Sequence, residues 1–316
     1  MAEIRTIFNQ LNQALSSVVL GQEVLVKQLL VALLSSGHVI LEGVPGTGKT
    51  LTVKAIAKLI KADFRRVQLT PDILPSDILG TNIFDLNSRE FILKKGPVFT
   101  EVLLADEINR TPPKTQSALL EAMEERQVTL DGTSLILSDL FWVIATQNSL
   151  EFEGTYPLPE AQLDRFLFKL IVEYPDPAAE KQMLLNSQDG KVGGKIDLEL
   201  LQSIASVENI LAARAEVKAV EVKDTILDYL LELVKRSRQY PDLSLGASPR
   251  SAVAWLQATK AHAWLEGRDF VTPDDVKTIA LPLLRHRLIL RPEAQLDGLV
   301  IDTVINSLLS QVPVPR

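Results

Sequence analysis

Residues 43–50 read GVPGTGKT and lie between a short apolar run and a helical pattern. Glycines let a backbone approach a ligand closely and adopt positive φ, so the N–H groups of such a loop can cradle phosphate oxygens. The helix that follows adds the positive end of its dipole. Lys49 would neutralise the β and γ phosphates of a nucleotide, and Thr50 would hold Mg²⁺. The residues predicted to bind the nucleotide here are Gly43, Pro45, Gly46, Thr47, Gly48, Lys49, Thr50 and Leu51.

Two acids end a second apolar run, VLLADE at 102–107. Asp106, at the carboxyl end of the predicted strand, is placed to hold Mg²⁺ through water, which makes Thr50 and Asp106 the predicted metal site. Glu107 is placed to orient and deprotonate the attacking water. The alternative is a solvated pair of acids at a strand end. The phosphate-binding loop upstream, with one helix and one strand between, favours the catalytic interpretation.

Three further polar residues follow or precede predicted elements. Asn148 ends a strand-like run and would lie beside the γ-phosphate, although asparagine there is often only a turn residue; Thr146 and Gln147 are weaker candidates for the same place. Arg165 precedes the last predicted strand and would serve as an arginine finger reaching a neighbouring subunit, or form a local salt bridge. Arg250 falls in the first turn of a predicted helix, where a cation opposes the dipole, so an anion nearby is expected unless the side chain is simply solvated.

Five short apolar runs predict the strands of a mostly parallel sheet, because most are apolar at every position rather than alternating. They are VILEG (39–43), RRVQL (65–69), VLLADE (102–107), FWVIAT (141–146) and FLFKLIV (166–172). Helical patterns separate them at 22–35, 48–60 and 112–126. The alternation predicts an α/β domain. Two hairpins are inserted, at 81–95 and at 126–138, the second turning at Asp131-Gly132.

The chain beyond Tyr174 is predicted to contain helices and no strands. Helix starts are indicated at Asp176-Pro177, Ser248-Pro249 and Thr272-Pro273. The polar, glycine-rich stretch at 186–195 is a predicted linker. We therefore expect two domains, an αβα core over 1–189 and a helical insert with an α-helical lid over 190–316.

Composition limits the classes of protein. The 316 residues are 46% apolar and 23% charged, and they include no cysteine, which fits a reducing cytosolic setting. The net charge of −7 argues weakly against non-specific DNA binding. The N-terminus does not resemble a secretion signal, and no apolar run reaches the ~18 residues of a membrane span. A soluble, cytoplasmic protein without membrane contact is expected.

Other site chemistries find little support. The three histidines, His38, His262 and His286, are isolated and lack zinc-ligand spacing. Trp255 and Trp264 lie on one predicted helix and are expected in a core or an interface rather than in a base-stacking platform.

The ordered set of motifs resembles the AAA+ ATPases, and in finer detail the MoxR family. The phrases that carry this resemblance are GHVILEGVPGTGKT, GPVFTEVLLADEINRTPPKTQSALLEAMEERQVT, FWVIATQN and GTYPLPEAQLDRF. The resemblance runs from about residue 19 to about residue 287. It implies an AAA+ core followed by a helical lid, with Mg²⁺-dependent ATP hydrolysis as the activity.

The resemblance also implies roles by position. The Walker A residues would be Lys49 and Thr50, and the Walker B residues Asp106 and Glu107. Asn148 would be sensor 1, Arg165 the arginine finger and Arg250 sensor 2, while Gly21 and Gln22 would lie near the adenine. The hairpins would be the helix-2 insert and the pre-sensor-1 insert, and a helix around 198–214 would reposition the lid. Such proteins form hexameric rings, act as chaperone-like ATPases, and often work with a separate partner that contains a von Willebrand factor A domain.

Two functions remain open on the sequence alone. The first is ATP-driven remodelling or maturation of partner proteins, and the second is a nucleic-acid motor or loader of the same clade. Hairpin 126–138 carries Asp131 and no lysine, and hairpin 81–95 mixes Arg89, Lys94 and Lys95 with acids, so the protein-remodelling function is favoured. A small-molecule kinase is disfavoured by the Asp-Glu strand and the large lid, and a GTPase by the lack of an N-K-x-D motif.

Overall fold

The structure is a computed structural model that describes residues 2–148, 154–188, 198 and 201–315. In this part of the chain the strands are β1 (Val39–Glu42), β2 (Phe64–Gln68), β3 (Gly80–Asp85), β4 (Glu90–Lys95), β5 (Val102–Asp106), β6 (Gln127–Leu130), β7 (Thr133–Ile136), β8 (Trp142–Gln147), β9 (Phe168–Ile171), β10 (Leu243–Leu245) and β11 (Ile289–Leu290). The helices are α1 (Ala2–Val18), α2 (Glu23–Leu34), α3 (Lys49–Leu59), α4 (Pro75–Leu79), α5 (Pro113–Glu125), α6 (Glu160–Leu163), α7 (Pro177–Gln188), α8 (Val207–Lys218), α9 (Asp224–Gln239), α10 (Pro249–Leu265), α11 (Pro273–Leu284), α12 (Pro292–Leu296) and α13 (Ile301–Gln311).

One five-stranded sheet organises the first half of the chain. Its strand order is β2-β5-β8-β1-β9, and every neighbouring pair is parallel. The carboxyl ends of the strands therefore share one edge, with Glu42 opposite Gln147 and Gln68 opposite Asp106. This edge is where open α/β sheets bind ligands. The predicted α/β fold is confirmed.

Both faces of the sheet are buried, as the continuous apolar runs predict. On one face Leu41, Leu104 and Ile144 belong to a hydrophobic cluster that includes α1, α2 and α3 and continues into the helices after residue 204. On the other face Ile40, Leu103 and Val143 pack with α5. The helices predicted at 22–35, 48–60 and 112–126 are α2, α3 and α5.

Strand β2 departs from the prediction of a buried strand. It lies at an edge of the sheet, and Arg65, Arg66 and Gln68 are exposed while Phe64 and Val67 are half-buried. An edge strand has a neighbour on one side only, so it does not need apolar residues at every position. Two of the exposed residues, Arg66 and Gln68, contribute to the site described below.

Both inserted hairpins are confirmed. Strands β3 and β4 pair antiparallel from Gly80–Lys95 to Asp85–Glu90, and β6 pairs with β7. Asp131 and Gly132 both have positive φ, 48° and 79°, as a two-residue hairpin turn requires. The hairpins touch through Asn82, whose Nδ2 donates to Asp131 Oδ2 at 2.6 Å.

The helix starts after Tyr174 are found where the sequence places them. Asp176 Oδ1 accepts the Ala179 N–H at 2.7 Å before α7, and Ser248 Oγ accepts the Ser251 N–H at 3.0 Å before α10. The expectation that strands stop after Tyr174 is wrong, because β10 pairs antiparallel with β11 in the lid. These strands have three and two residues, which is too short for an alternating pattern to appear in the sequence.

The connection between core and lid is described only in part. Residues 186–188 of the predicted linker are the last residues of α7, and residues 189–195 lie outside the described residues. The domain division at 189/190 falls there too and stays a prediction. The helix expected around 198–214 is α8, which begins at Val207 because Ser206 caps it by accepting the Asn209 N–H at 3.4 Å.

The lid packs closely on the core. Trp255 and Trp264 are fully buried on α10, as predicted, and Trp264 lies edge-on to Phe8 of α1 with ring centroids 5.2 Å apart. On α9 the apolar residues Ile226, Tyr229, Leu230, Leu233 and Val234 share one face of the helix and are buried. No helix in the described ranges is long and apolar enough to cross a membrane.

Candidate nucleotide-binding site

The loop between β1 and α3 adopts the conformation that its glycines allow. Gly48, the N-cap of α3, has a left-handed φ of 82°, which is strained for other residues. A Cβ on Gly43 would stand 2.4 Å from the Val172 carbonyl oxygen, so only glycine fits beside β9's continuation. The loop opens into a cleft of about 390 Å³ at the carboxyl edge of the sheet.

The Lys49 ammonium lies at the mouth of this loop. Its Nζ donates to the carbonyl oxygens of Gly43 at 2.8 Å and Val44 at 2.7 Å. Burial lowers the pKa of Lys49, and the charge of Asp106 partly opposes that shift. A cation that is partly desolvated and held by carbonyls is suited to an anion of high charge, so the loop fits a polyphosphate.

Asp106 is buried at the end of β5 and its two carboxylate oxygens have separate partners. Arg66 Nε donates to Oδ2 at 2.5 Å, and Thr146 Oγ1 donates to Oδ1 at 3.1 Å. Thr50 lines the same cleft. A carboxylate and a hydroxyl beside a phosphate-binding loop are hard oxygen donors of the kind that Mg²⁺ takes.

Glu107 is held in an uncommon backbone conformation. Its φ of 60° and ψ of 51° are left-handed, and its N–H donates to Thr146 Oγ1 at 3.0 Å. Arg110 Nη1 donates to Glu107 Oε2 at 2.9 Å. A non-glycine residue in this conformation is often found at functional sites, where surrounding contacts fix it. The result is that the Glu107 side chain lines the cleft next to Asp106.

The structure brings most of the predicted residues into one cleft. Its lining consists of Gly43, Pro45, Gly46, Thr47, Gly48, Lys49, Thr50, Leu51, Arg66, Gln68, Asp106, Glu107, Thr146, Gln147 and Asn148. Gln22 lies beside the loop, because its Nε2 donates to the Thr47 carbonyl at 2.9 Å. Gly21 lies against Ala179 of α7 instead. The roles of Gly21 and Gln22 near an adenine stay predictions.

Arg66 and Gln68 were not found from the sequence. Residues two apart on a strand share a face, so Arg66 and Gln68 of β2 project together toward the end of β5. Arg66 Nη2 also donates to Gln68 Oε1 at 3.2 Å. The sequence feature that could have identified them is a pair of polar residues at alternate positions of a strand predicted to be buried.

Arg165 and Arg250 do not line this cleft. Both instead line a second cleft of about 220 Å³. There they share one carboxylate, that of Glu124 near the end of α5. Among the described residues, none lines both the nucleotide cleft and this arginine cleft.

Comparison with known proteins decides the family. Residues 38–168 match the family described as "ATPase family associated with various cellular activities (AAA)", and residues 235–308 match the "AAA lid domain". The chain is 46% identical to the uncharacterized protein YeaC of Bacillus subtilis, over 95% of this chain and 92% of that one. It is 40% identical to Chaperone MoxR1 of Mycobacterium tuberculosis, over 100% of this chain and 84% of that one.

The chain belongs to the MoxR family of AAA+ ATPases. A crystal structure of an ATPase candidate from Cytophaga hutchinsonii agrees, with a TM-score of 0.91 and 38% identity over 100% of this chain and 97% of that one. As a MoxR-family member the chain binds nucleotide and is an ATP hydrolase. The family and the fold expected from the sequence are therefore confirmed.

Proposed function

We propose that this MoxR-family chain hydrolyses Mg²⁺-ATP in the cleft beside β1 and uses the energy to remodel or mature partner proteins. The observation that supports the hydrolytic part is the convergence of Lys49, Asp106, Glu107 and Asn148 on one cleft. Lys49 and the loop N–H groups bind and neutralise the phosphates. Glu107 orients the attacking water and accepts its proton, and Asn148 holds that water beside the terminal phosphate.

The metal has a defined place in this proposal. Thr50 and Asp106 would hold Mg²⁺, which when bound supplies charge neutralisation to the β and γ phosphates. Arg66 Nε donates to one oxygen of the Asp106 carboxylate at 2.5 Å, so it helps to orient that carboxylate at the edge of the cleft.

The position of the arginines supports an oligomer. Arg165 and Arg250 lie in the arginine cleft rather than in the nucleotide cleft of the same chain. We therefore place them against the nucleotide of a neighbouring copy, in a ring that the family resemblance makes hexameric. An arginine finger of this kind is worth ~10³–10⁵ in rate.

The surface of the β3–β4 hairpin supports a protein client. Phe91 is 73% exposed and Leu86 82% exposed, and Ile83, Phe84 and Ile92 are exposed around them. Several exposed apolar side chains on one hairpin are typical of protein contact, whereas binding a nucleic-acid backbone requires cations. The relative named Chaperone MoxR1 points the same way. A von Willebrand factor A domain protein as partner, and a cytoplasmic location, belong to this proposal.

A capture experiment tests the client. The Glu107→Gln variant, held with Mg²⁺-ATP, is used as bait in native lysate with and without nuclease. A matched bait also carries Phe91→Ser, and a control bait carries Leu296→Ser, which changes a residue that is 88% exposed on the lid. We expect a protein retained after nuclease by the parent and Leu296→Ser baits and lost from the Phe91→Ser bait. Loss of all captured protein on nuclease treatment would contradict the proposal and favour a nucleic-acid motor.

A further inference from the structure

One carboxylate connects two arginines that belong to different parts of the fold. Glu124 Oε2 accepts a hydrogen bond from Arg165 Nη1, in the segment that leads into β9. Glu124 Oε1 accepts one from Arg250 Nη2 at 3.1 Å, in the first turn of the lid helix α10. Glu124 therefore fixes the separation of two guanidinium groups, one carried by the core and one by the lid.

The end of α5, which carries Glu124, is held in place by His38. His38 Nδ1 accepts the Val143 N–H at 3.0 Å, so the ring carries its proton on Nε2 and donates it to the Met123 carbonyl at 3.2 Å. Met123 precedes Glu124 in α5. The end of the helix is thereby tied to β8 through the buried imidazole of His38, which leaves Glu124 little freedom to shift.

The segment that carries Arg165 is held by the lid. Arg287, which is almost fully buried, donates from Nε to Asp164 Oδ1 at 2.7 Å and from Nη2 to the Phe166 carbonyl at 2.7 Å. His286 Nε2 contacts the same Phe166 carbonyl at 2.9 Å. The residues on either side of Arg165 are therefore bonded to the lid, and the side chain of Arg165 is bonded to Glu124.

The arginine cleft keeps unused positive charge and unused donors. Four arginines and two carboxylates line it. Asp164 pairs with Arg287, so Glu124 is the carboxylate left to balance Arg126, Arg165 and Arg250. Arg165 uses Nη1 for Glu124 and for the Leu120 carbonyl, and Arg250 uses Nη2. The remaining N–H groups of both guanidinium groups have no partner in the described part of the chain. A cluster of this kind is suited to bind an anion.

We propose that Glu124 is a positioning residue that holds Arg165 and Arg250 side by side, so that both present their free N–H groups to the nucleotide of the neighbouring copy. This inference rests on the proposed action of these arginines in trans. A guanidinium group has five donors, so the arginines can bind a phosphate while they remain bonded to Glu124. Glu124 acts through the arginines and does not touch the nucleotide of its own chain.

Two opposite roles for Glu124 predict opposite changes in kcat when its carboxylate is removed. If Glu124 withheld the arginines from the neighbouring nucleotide, its removal would raise kcat. If it aligns them, Glu124→Gln lowers kcat by about tenfold to a hundredfold, the loss typical of a misplaced catalytic group, while KM and ATP affinity stay the same. Glu125→Gln is the matched control, because Glu125 is exposed on the same helix and has no ion pair in the described residues.

Subunit mixing locates the effect. A subunit with Arg165→Ala keeps Glu107 and hydrolyses only with an arginine from its neighbour, and a subunit with Glu107→Gln supplies that arginine but cannot hydrolyse. We expect this mixture to be active. Glu124→Gln in the arginine-supplying subunit should lower its activity about tenfold or more, whereas the same change in the Arg165→Ala subunit should not, because that subunit's arginines face only inactive sites.

Each outcome has one meaning. Equal activity wherever Glu124→Gln is placed, or a rise in kcat, would overturn the positioning role of Glu124. Equal loss from both placements would show a general structural defect and would also overturn it. A mixture that stays inactive without any change at Glu124, with exchange of subunits shown by energy transfer between labelled chains, would instead refute the action in trans on which the inference rests.

Discussion

His38 gives a prediction whose size follows from the structure. The imidazole is buried, and burial together with the nearby charges of Arg126 and Arg214 lowers its pKa from 6.5 to about 4, which outweighs the raising effect of its bond to Met123. The neutral ring is required, because Nδ1 must accept the Val143 N–H. Protonation would place a second proton against that donor and a charge in the core.

The direction and size of the pH effect on the free energy of unfolding follow from proton linkage. Between pH 6.5 and about 4 the unfolded chain binds a proton at His38 and the folded chain does not, so acidification lowers the free energy of unfolding. A difference of this size costs about 3 kcal/mol by pH 4. The stability that the neutral His38 ring contributes is fully present above pH 6.5, its pKa in the unfolded chain. It is lost as the pH falls toward about 4, its pKa in the folded chain.

The assay compares the free energy of unfolding of wild type and His38→Asn by denaturant titration at several pH values from 7 to 4. Tryptophan fluorescence monitors the unfolding. Trp142 is a local reporter, because its Nε1 donates to the Gly37 carbonyl at 2.8 Å. At pH 7 the variant should be less stable, since the Met123 carbonyl loses its donor. The gap should close by about 3 kcal/mol at pH 4, because only wild type carries the His38 penalty. His286 is present in both chains and cancels. A gap that stays constant with pH would refute the reasoning.

Three more predictions concern the site and the lid. Lys49→Ala should weaken ATP binding about a hundredfold, since two charge-assisted bonds of about 1.5 kcal/mol each are lost; calorimetry showing wild-type affinity would contradict the phosphate assignment. Glu107→Gln should bind ATP normally and lower kcat by about 10²–10⁴, and full turnover would remove Glu107 from the role of base. Asp275→Asn should lower the free energy of unfolding by about 3–5 kcal/mol, because buried Asp275 accepts bonds from Arg268 at 2.6 Å and His262 at 2.7 Å. The exposed neighbour Asp274→Asn should change it little, and equal effects would refute this.

That the residues at 43, 45–51, 106, 107 and 148 lie together in one cleft was predictable, because binding of phosphate constrains the local sequence. The loop at 43–50 needs glycines, lysine and threonine at fixed spacing, and Asp106-Glu107 must end a buried strand, so these signals are contiguous in the chain. The hairpin at 126–138 was predictable for a similar reason, since Asp131-Gly132 is a strong local turn signal. Local rules of this kind also placed the starts of α7 and α10.

The features that could not be predicted depend on contacts between residues that are far apart in the sequence. Arg66 meets Asp106 only because β2 pairs with β5, and Glu124 meets Arg165 and Arg250 only after the lid packs on the core. No local pattern marks such pairs. The two short strands of the lid form for the same reason, since Leu243 and Leu290 pair although they are far apart in the sequence.

The most direct test of the account is a structure of the Glu107→Gln variant with Mg²⁺-ATP, determined by electron cryomicroscopy. We expect a ring in which Lys49 contacts the β and γ phosphates and Thr50 and Asp106 hold the metal. Arg165 and Arg250 of the adjacent copy should reach the γ-phosphate while still bonded to their own Glu124. A nucleotide-bound chain without a neighbour, or a ring whose γ-phosphate is contacted by arginines of its own chain only, would contradict the account.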